Sequence, residues 1–347
     1  MIVYKNRKNK KEIFIILAAS VIGCFVAGEI FVRFFEENDT AMIVASTNPK
    51  LVYELNKSYQ GINALRMRDK DFRMKDLRNR HLIAVIGDSH SYAIKVKDVE
   101  DAFPAKIEQC LGHAMPEMNA KVLNFGVPGY NTAQELEVLQ AKALAFNPGL
   151  VVLQYHMNDT HLCNYIQPKY KALNRLIYQS KFLVWVWKKV LYSSFGEKYL
   201  YDWIGHKFPD ALLYEEGLVG TLKSGADEVP ARKRHPPRAK DRAPQAYHYM
   251  LGEDNWREHI HLFAQICQKR NIPLLATGII GGDERAVFLK EGFAVYSFDE
   301  IFKDKDMKDY GYNSNNTADH FDVRGNDVIG KALADYIDAH YLTFTNQ

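Results

Sequence analysis

Four short motifs contain the residue types of a serine-dependent acyl-transfer site. Gly87-Asp88-Ser89 ends in a hydroxyl that can act as a nucleophile, and Gly129 offers a backbone N–H that a substrate can approach closely. Asn158 has a side-chain amide that can donate to a developing oxyanion. His320 can take a proton from a serine, and Asp319 precedes it. Each motif alone also fits a turn or a helix cap, so their positions in the fold decide the interpretation.

The elements that must position these motifs follow an alternating pattern. Strands are predicted at His81–Ile86, Lys121–Phe125, Leu150–Tyr155, Ile272–Gly278 and Phe293–Phe298. Helices are predicted at Ala102–Leu111, Thr132–Phe146, Glu258–Lys269, Asp283–Glu291 and Arg324–Tyr341. The alternation indicates a three-layer α/β/α fold with a five-stranded parallel sheet in the flavodoxin-like order 2-1-3-4-5. The serine, glycine and asparagine then follow strand ends at the carboxyl edge of the sheet, where such folds bind ligands.

Serine, glycine, asparagine and histidine, in this chain order, resemble the four blocks of the SGNH hydrolases, the GDSL-type lipase and esterase superfamily. The linking segments, including Asn147–Val152, look like those of membrane-anchored bacterial members. The resemblance implies that Ser89 is the nucleophile and His320 the general base. It also implies an oxyanion hole formed by the N–H groups of Ser89 and Gly129 and the amide of Asn158. No metal or cofactor is expected.

The chain departs from the family pattern at three positions. His90 follows the serine in place of leucine, and His156 stands where the family usually has glycine, so a side chain is expected near the site. Thr317 occupies the usual position of the aspartate, and the nearest acid is Asp319, adjacent to His320. Neighbouring residues on an extended chain point in opposite directions. Asp319 can therefore complete a triad only if the backbone turns sharply, and a backbone carbonyl is the alternative.

The N-terminus indicates a membrane anchor. A basic cluster between Lys5 and Lys11 precedes an uncharged run from Ile13 to Gly28. Apolar residues continue to Phe35, interrupted by Glu29 and Arg33, which are expected near the far interface of the membrane. This length suits a membrane helix, and the preceding basic residues predict a cytoplasmic N-terminus. Everything after residue 36 is then expected outside the inner membrane of a bacterium. The alternative is a lipoprotein, because Val21–Cys24 resembles a lipobox; both interpretations tether the protein.

The remaining segments are assigned by composition. Residues 1–36 are the basic tail and anchor, 37–80 a spacer and N-terminal flap, 81–160 and 246–342 the hydrolase domain, and 161–245 an insertion. The insertion ends in a basic, proline-rich stretch from Gly225 to Gln245 that is typical of a solvated loop, with binding of anionic polymer or lipid headgroups as the alternative. It also contains Phe182–Trp187 followed by two lysines, which indicates either an interfacial or lid segment or packing onto the domain.

Composition limits the function classes. The chain has 347 residues and a formal net charge of only +3, so bulk electrostatics give no support to nucleic-acid binding. Its cysteines, Cys24, Cys110, Cys163 and Cys267, include no CxxC pair, and reduced thiols are favoured over a disulfide whose pairing the spacing leaves open. The oligomeric state is likewise open.

The expected activity is hydrolysis of acyl or O-acetyl esters on envelope carbohydrate or lipid by a membrane-tethered enzyme. Two alternatives stay open. One is an O-acyltransferase on envelope polysaccharide that uses the same serine, and the other is a catalytically silent SGNH-fold module that binds glycan.

Overall fold

The computed structural model describes residues 10–35, 42–163, 180, 182–183, 185–186, 245–313 and 319–345. The predicted basic loop up to residue 244, most of the insertion, and Thr317 lie outside the described residues. The chain divides into two compact units. We call residues 41–166 with 216–347 the sheet unit, and residues 1–40 with 167–215 the N-terminal unit.

Strands and helices alternate along most of the sheet unit. The N-terminal unit contributes α1, Lys10–Phe35. The first half of the sheet unit comprises β1 Ile43–Ala45, β2 Tyr53–Leu55, β3 His81–Ile86, α2 Ser89–Tyr92, α3 Phe103–Ala114, β4 Ala120–Asn124, α4 Thr132–Ala141 and β5 Leu150–Tyr155. After the insertion come α5 Glu253–Gln268, β6 Leu274–Gly278, α6 Gly282–Lys290, β7 Ala294–Val295, α7 Phe298–Ile301 and α8 Val323–Thr345.

The central sheet has the predicted topology. Its strands lie in the order β4-β3-β5-β6-β7, and each neighbouring pair is parallel. Counted along the chain, this is the order 2-1-3-4-5, so the predicted fold class is confirmed. The last strand is shorter than predicted because only Ala294 and Val295 pair with β6. The predicted helix from Thr132 ends at Ala141, and a separate 3₁₀ turn at Ala143–Phe146 follows it.

The core explains why β3 and β5 are almost entirely apolar. Both strands lie inside the sheet, and every residue of β5 is buried, as expected for a parallel strand covered on both faces. One face packs against α3 and α8, where Phe103, Ile107 and Leu333 are buried with residues of four strands. The other face is covered by α4 and α5, which contact each other. The arrangement holds the strand ends in fixed positions.

Residues 42–80, predicted as a spacer and flap, belong to the sheet unit. β1 and β2 form a small antiparallel sheet, and Tyr53 on β2 is fully buried. The Tyr53 hydroxyl donates to the carbonyl of Pro128 at 2.9 Å, and the Tyr130 hydroxyl donates to the carbonyl of Tyr53. The flap therefore supports the loop that carries Gly129, which its polar composition did not indicate.

The N-terminal unit contains a helix of membrane-spanning length. Within α1, Glu12–Val32 is long and apolar enough to cross a bilayer, and most of its side chains are exposed. A helix of this length rises about 30 Å, close to the thickness of the hydrocarbon core. The predicted apolar helix is thus confirmed, whereas its orientation and the cleavage alternative at Cys24 stay predictions. Cys24, Cys110 and Cys267 have free thiols.

Candidate active site

The turn after β3 presents Ser89 as the first residue of α2. The Asp88 carboxylate accepts the His90 N–H at 2.9 Å and so caps this short helix. Beneath the turn, the Gln154 Oε1 atom accepts the Asp88 N–H at 3.2 Å and the Ser91 N–H at 3.1 Å. Gln154 is fully buried in β5, and its role could have been suspected because it is a polar residue in an apolar strand. These bonds fix the position of the serine.

The predicted meeting of serine and histidine is present. His320 Nε2 lies 2.7 Å from Ser89 Oγ, although 231 positions separate the two residues in the chain. His320 precedes α8, and the next residue, Phe321, is buried and stacks on the rings of Phe302 and Tyr312. This aromatic stack holds the base of the histidine loop. The contact has the geometry that a serine and its general base require.

Burial keeps the His320 ring neutral. Desolvation, helped by the neighbouring His90 ring, lowers the pKa of His320 to about 3. The space behind the Ser89–His320 pair is lined by Phe103 and Phe298 and leaves no room for a water molecule. A neutral imidazole has a free lone pair, so Nε2 can accept the serine proton at neutral pH.

Hydrogen-bond donors lie on the loops that follow β3, β4 and β5. Gly129 has a φ of +75°, a conformation that favours glycine, and among the described residues its N–H and that of Ser89 have no acceptor. The Val127 N–H donates to the Gly87 carbonyl at 3.0 Å and ties this loop to the nucleophile turn. Asn158 Nδ2 donates to the Tyr130 carbonyl at 3.2 Å, which leaves its second hydrogen available.

His156, the departure from the family glycine, positions Asn158. His156 Nδ1 lies 2.7 Å from Asn158 Oδ1. An amide oxygen only accepts hydrogen bonds, so Nδ1 must carry the proton. The His156 side chain is 5% exposed and cannot easily move away. The imidazole and the Tyr130 carbonyl together therefore fix the plane of the Asn158 amide.

Three histidine rings form a column beside Ser89. The His90 ring lies between those of His156 and His320, with centroids 4.8 Å from each. Burial, followed by repulsion from His156, lowers the pKa of His90 well below its ordinary value. Sequence reasoning noted His90 only as a variant and did not place it between the other two rings. No group of three or more His, Cys, Asp or Glu residues in the described ranges has the arrangement of a metal site.

Asp319 has other partners than the imidazole. Its carboxylate accepts from the Lys95 ammonium, from the Asn313 N–H at 2.9 Å and from the His320 backbone N–H at 2.9 Å. Partial burial opposes ionisation, but these donors, Lys95 first, lower the pKa of Asp319. A third triad member accepts a hydrogen bond from the imidazole ring. Among the described residues, Asp319 makes no such bond to the His320 ring. Asp319 thus fastens the histidine loop to Lys95 and Asn313.

A cavity of about 490 Å³ elsewhere in the sheet unit does not contain these residues. It lies beside β4 and is lined by charged side chains, several of which pair with each other. Arg80 bonds to Glu108, and Lys121 contacts both Glu108 and Asp69. The candidate site lies instead at the carboxyl edge of the sheet, at Ser89.

Comparisons with known proteins identified similar structures. A protein assigned to the G-D-S-L family of lipolytic proteins, from Desulfitobacterium hafniense DCB-2, matches at 11% identity and a TM-score of 0.37 over 74% of this chain and 99% of its own. The esterase EstA from Pseudoalteromonas sp. matches at 11% identity and a TM-score of 0.42, over 76% of this chain and 100% of its own. An acetyl xylan esterase from Geobacillus stearothermophilus matches at 11% identity and a TM-score of 0.40, over 74% of this chain and 94% of its own.

These likenesses have low sequence identity and TM-scores below 0.5, and they concern the fold alone. No family model matches the chain, and no curated protein matches it. The roles of individual residues rest on the contacts in this chain.

Proposed function

We propose that the protein is a membrane-tethered serine ester hydrolase. The observation that carries the proposal is the 2.7 Å contact between Ser89 Oγ and His320 Nε2, in which a neutral ring faces the hydroxyl. The fixed amide of Asn158 and the N–H groups of Ser89 and Gly129 supply donors on the loops that follow β5, β3 and β4. Together they form the parts of an acyl-transfer site.

The mechanism follows from these positions. His320 Nε2 takes the proton of Ser89 as Oγ attacks the carbonyl carbon of an ester. The carbonyl oxygen becomes an oxyanion that accepts hydrogen bonds from the Ser89 and Gly129 N–H groups and from Asn158 Nδ2. The imidazolium then gives its proton to the departing alkoxide, which leaves as the alcohol. Water attacks the acyl-serine with His320 as base, and the acid and free Ser89 are released.

The substrate class is an acyl or O-acetyl ester of envelope carbohydrate or lipid. The membrane-length helix α1 supports a location at the membrane, and the basic residues before it support placing the sheet unit on the extracytoplasmic side of a bacterial inner membrane. A tethered enzyme in that position meets surface polymers and lipids rather than cytoplasmic metabolites.

The proposal is tested by turnover of a short acyl ester and of O-acetylated polysaccharide by full-length protein. Ser89→Ala and His320→Ala each lower kcat/KM by about 10⁴-fold or more, because the nucleophile and its base act as one unit. Ser58→Ala, at an exposed position, is the matched control and retains activity. Unchanged turnover in folded Ser89→Ala protein would remove Ser89 from the nucleophile role and overturn the proposal.

A further inference from the structure

One face of α1 differs from the rest of the helix. Phe25, Gly28, Glu29 and Val32 follow helical spacing and share one side. Val32 is only 7% exposed, and Gly28 and Glu29 are partly buried. Residues on other sides of the helix remain open, with exposures of 68% for Val21, 64% for Ile22, 52% for Ile30 and 51% for Phe31. Part of the helix is therefore covered by protein.

The cover includes the aromatic segment of the insertion, which belongs to the same unit. Its hydrogen bonds are centred on one oxygen atom, Glu29 Oε2. The Ser180 hydroxyl donates to this atom at 2.7 Å, and the Phe182 N–H donates to it at 3.0 Å. The Ser180 hydroxyl also accepts the Leu183 N–H at 3.1 Å, so one serine both caps its own segment and bonds to α1.

Close packing accompanies these bonds. A Cβ added at Gly28 would lie 2.6 Å from the Phe182 ring, so the absence of a side chain there admits the phenylalanine. The Phe182 ring meets that of Phe25 edge-on, with centroids 5.9 Å apart. It also stacks on Trp185 at 6.3 Å. A small residue that lets another segment approach closely is the usual packing device of helices in membranes.

The polar contact is informative because of its surroundings. An acidic side chain on an otherwise apolar membrane helix is costly unless it faces protein and has a hydrogen-bonding partner. Glu29 meets that requirement through Ser180 and Phe182. A glutamate exposed to water needs neither a protein surface to face nor a hydrogen-bonding partner from the protein. Phe182, Leu183 and Trp185 are themselves large apolar residues that a bilayer accommodates well.

We propose that residues 180–186 are a second membrane-embedded segment, docked on α1 through Glu29 and Gly28. The proposal rests on the membrane anchoring proposed above and adds that the insertion contributes to the same membrane unit. Lipid is the partner of the remaining surface of the segment. Within the N-terminal unit, α1 and the described residues of this segment are then packed against each other in the membrane.

The embedding is tested with full-length protein in vesicles of phosphatidylethanolamine and phosphatidylglycerol. A hydrophobic aryl diazirine dissolved in the lipid is photolysed, and the labelled peptides are identified by mass spectrometry. We expect label on the peptides of α1 and of 180–187, and none on the α5 peptide. Label on α1 without label on 180–187 would overturn this inference and leave anchoring intact. Absence of label from α1 would contradict the anchoring itself.

The docking is tested by a photocrosslink from benzoylphenylalanine at position 182. We expect crosslinks to residues 25–29, reduced at least several-fold by Glu29→Ala. Glu29→Gln keeps an oxygen acceptor and retains the crosslink, and Glu12→Ala, at an exposed position of the same helix, serves as the matched control. Equal crosslinking in the Glu29→Ala and unsubstituted proteins would show that Glu29 does not hold the segment.

Discussion

The two sides of Ser89 are held in different ways. On the amide side, Asn158 is fixed through its own side chain, with Oδ1 bonded to His156 and Nδ2 to the Tyr130 carbonyl. On the imidazole side, the described residues offer no partner for His320 Nδ1, and the loop is held instead through Asp319, its neighbour. The donor is thus positioned directly, and the base is positioned by its backbone, by burial and by the bond to Ser89.

The difference indicates where substitutions should matter. Breaking a contact to Asn158 moves the amide that we propose as an oxyanion donor. Breaking a contact of Asp319 loosens a loop whose histidine is still confined by aromatic packing and by the His90 ring. We therefore expect the amide side to be more sensitive than the imidazole side to loss of a neighbouring polar group.

The largest effect should follow removal of the amide itself. Asn158→Ala is expected to lower kcat by about 10²–10³-fold, as loss of one oxyanion donor typically does. KM should change little, because the donor acts on charge that develops in the transition state. Steady-state kinetics with a short acyl ester measure both. Asn158→Ala protein with full kcat would contradict the assignment of this amide to the oxyanion hole.

Loss of the residue that positions Asn158 should cost less. His156→Ala is expected to lower kcat by about 10-fold, within the range for losing one buried hydrogen bond. His156→Asn can place an amide N–H near the Nδ1 position and should recover most of the rate. The double variant His156→Ala, Asn158→Ala should be no slower than Asn158→Ala alone, because both changes act through one group. Additive losses would show that His156 acts independently.

A smaller effect is expected at the histidine loop. Lys95→Ala removes the ion pair with Asp319, and the Lys95 side chain is 40% exposed. Partly exposed pairs contribute about 0–1 kcal/mol, so kcat/KM should fall by less than about 10-fold. Asp319→Asn also loses this pair and keeps one oxygen for only one of the two N–H donors, Asn313 or His320, so its kcat/KM should fall somewhat further. A fall of about 10⁴-fold would instead identify Asp319 as the residue that holds the imidazole tautomer.

A separate prediction concerns the pH dependence of stability rather than the rate. The native state lowers the pKa of His90 and of His320 below the value in the unfolded chain. Below about pH 6.5 the unfolded chain therefore binds protons that the native state excludes. The stability that the two neutral histidines contribute is complete above this pH and is lost as the pH falls. His90→Leu removes one such group. Relative to the unsubstituted protein, its free energy of unfolding should rise as the pH falls below about 6.5, by about 1 kcal/mol per pH unit as long as His90 stays neutral in the native state. Urea unfolding at several pH values measures this difference. If the free energies of unfolding of the two proteins changed with pH in the same way, the buried, neutral state of His90 would be contradicted.

Local patterns were sufficient to predict the sheet and the ends of its strands. β3 and β5 coincide with the predicted ranges because an all-apolar run bounded by turn residues marks a buried parallel strand. The positions of Ser89, Gly129 and Asn158 could be predicted for the same reason, since each follows a strand whose end could be located, and His320 comes just before the predicted last helix. The long-range contact between Ser89 and His320 then follows from the topology.

Contacts that depend on side-chain orientation could not be predicted. The pairing of Lys95 with Asp319 spans 224 positions, and that of Glu29 with Ser180 spans 151. Neither follows from strand or helix periodicity. The insertion of His90 between two other rings depends on rotamers that only the packed core determines. Asp319 was considered as a third triad member from adjacency alone, and adjacency gives no information on which donors its carboxylate meets.

The central claim is that Ser89 is a nucleophile activated by a neutral His320. A fluorophosphonate probe tests it directly, because the probe forms a covalent bond only with an activated serine. We expect one adduct per chain, mapped by mass spectrometry to the peptide that contains Ser89, no adduct in Ser89→Ala, and strongly slowed labelling in His320→Ala. Folded protein that stays unlabelled, or an adduct on any other residue, would contradict the account.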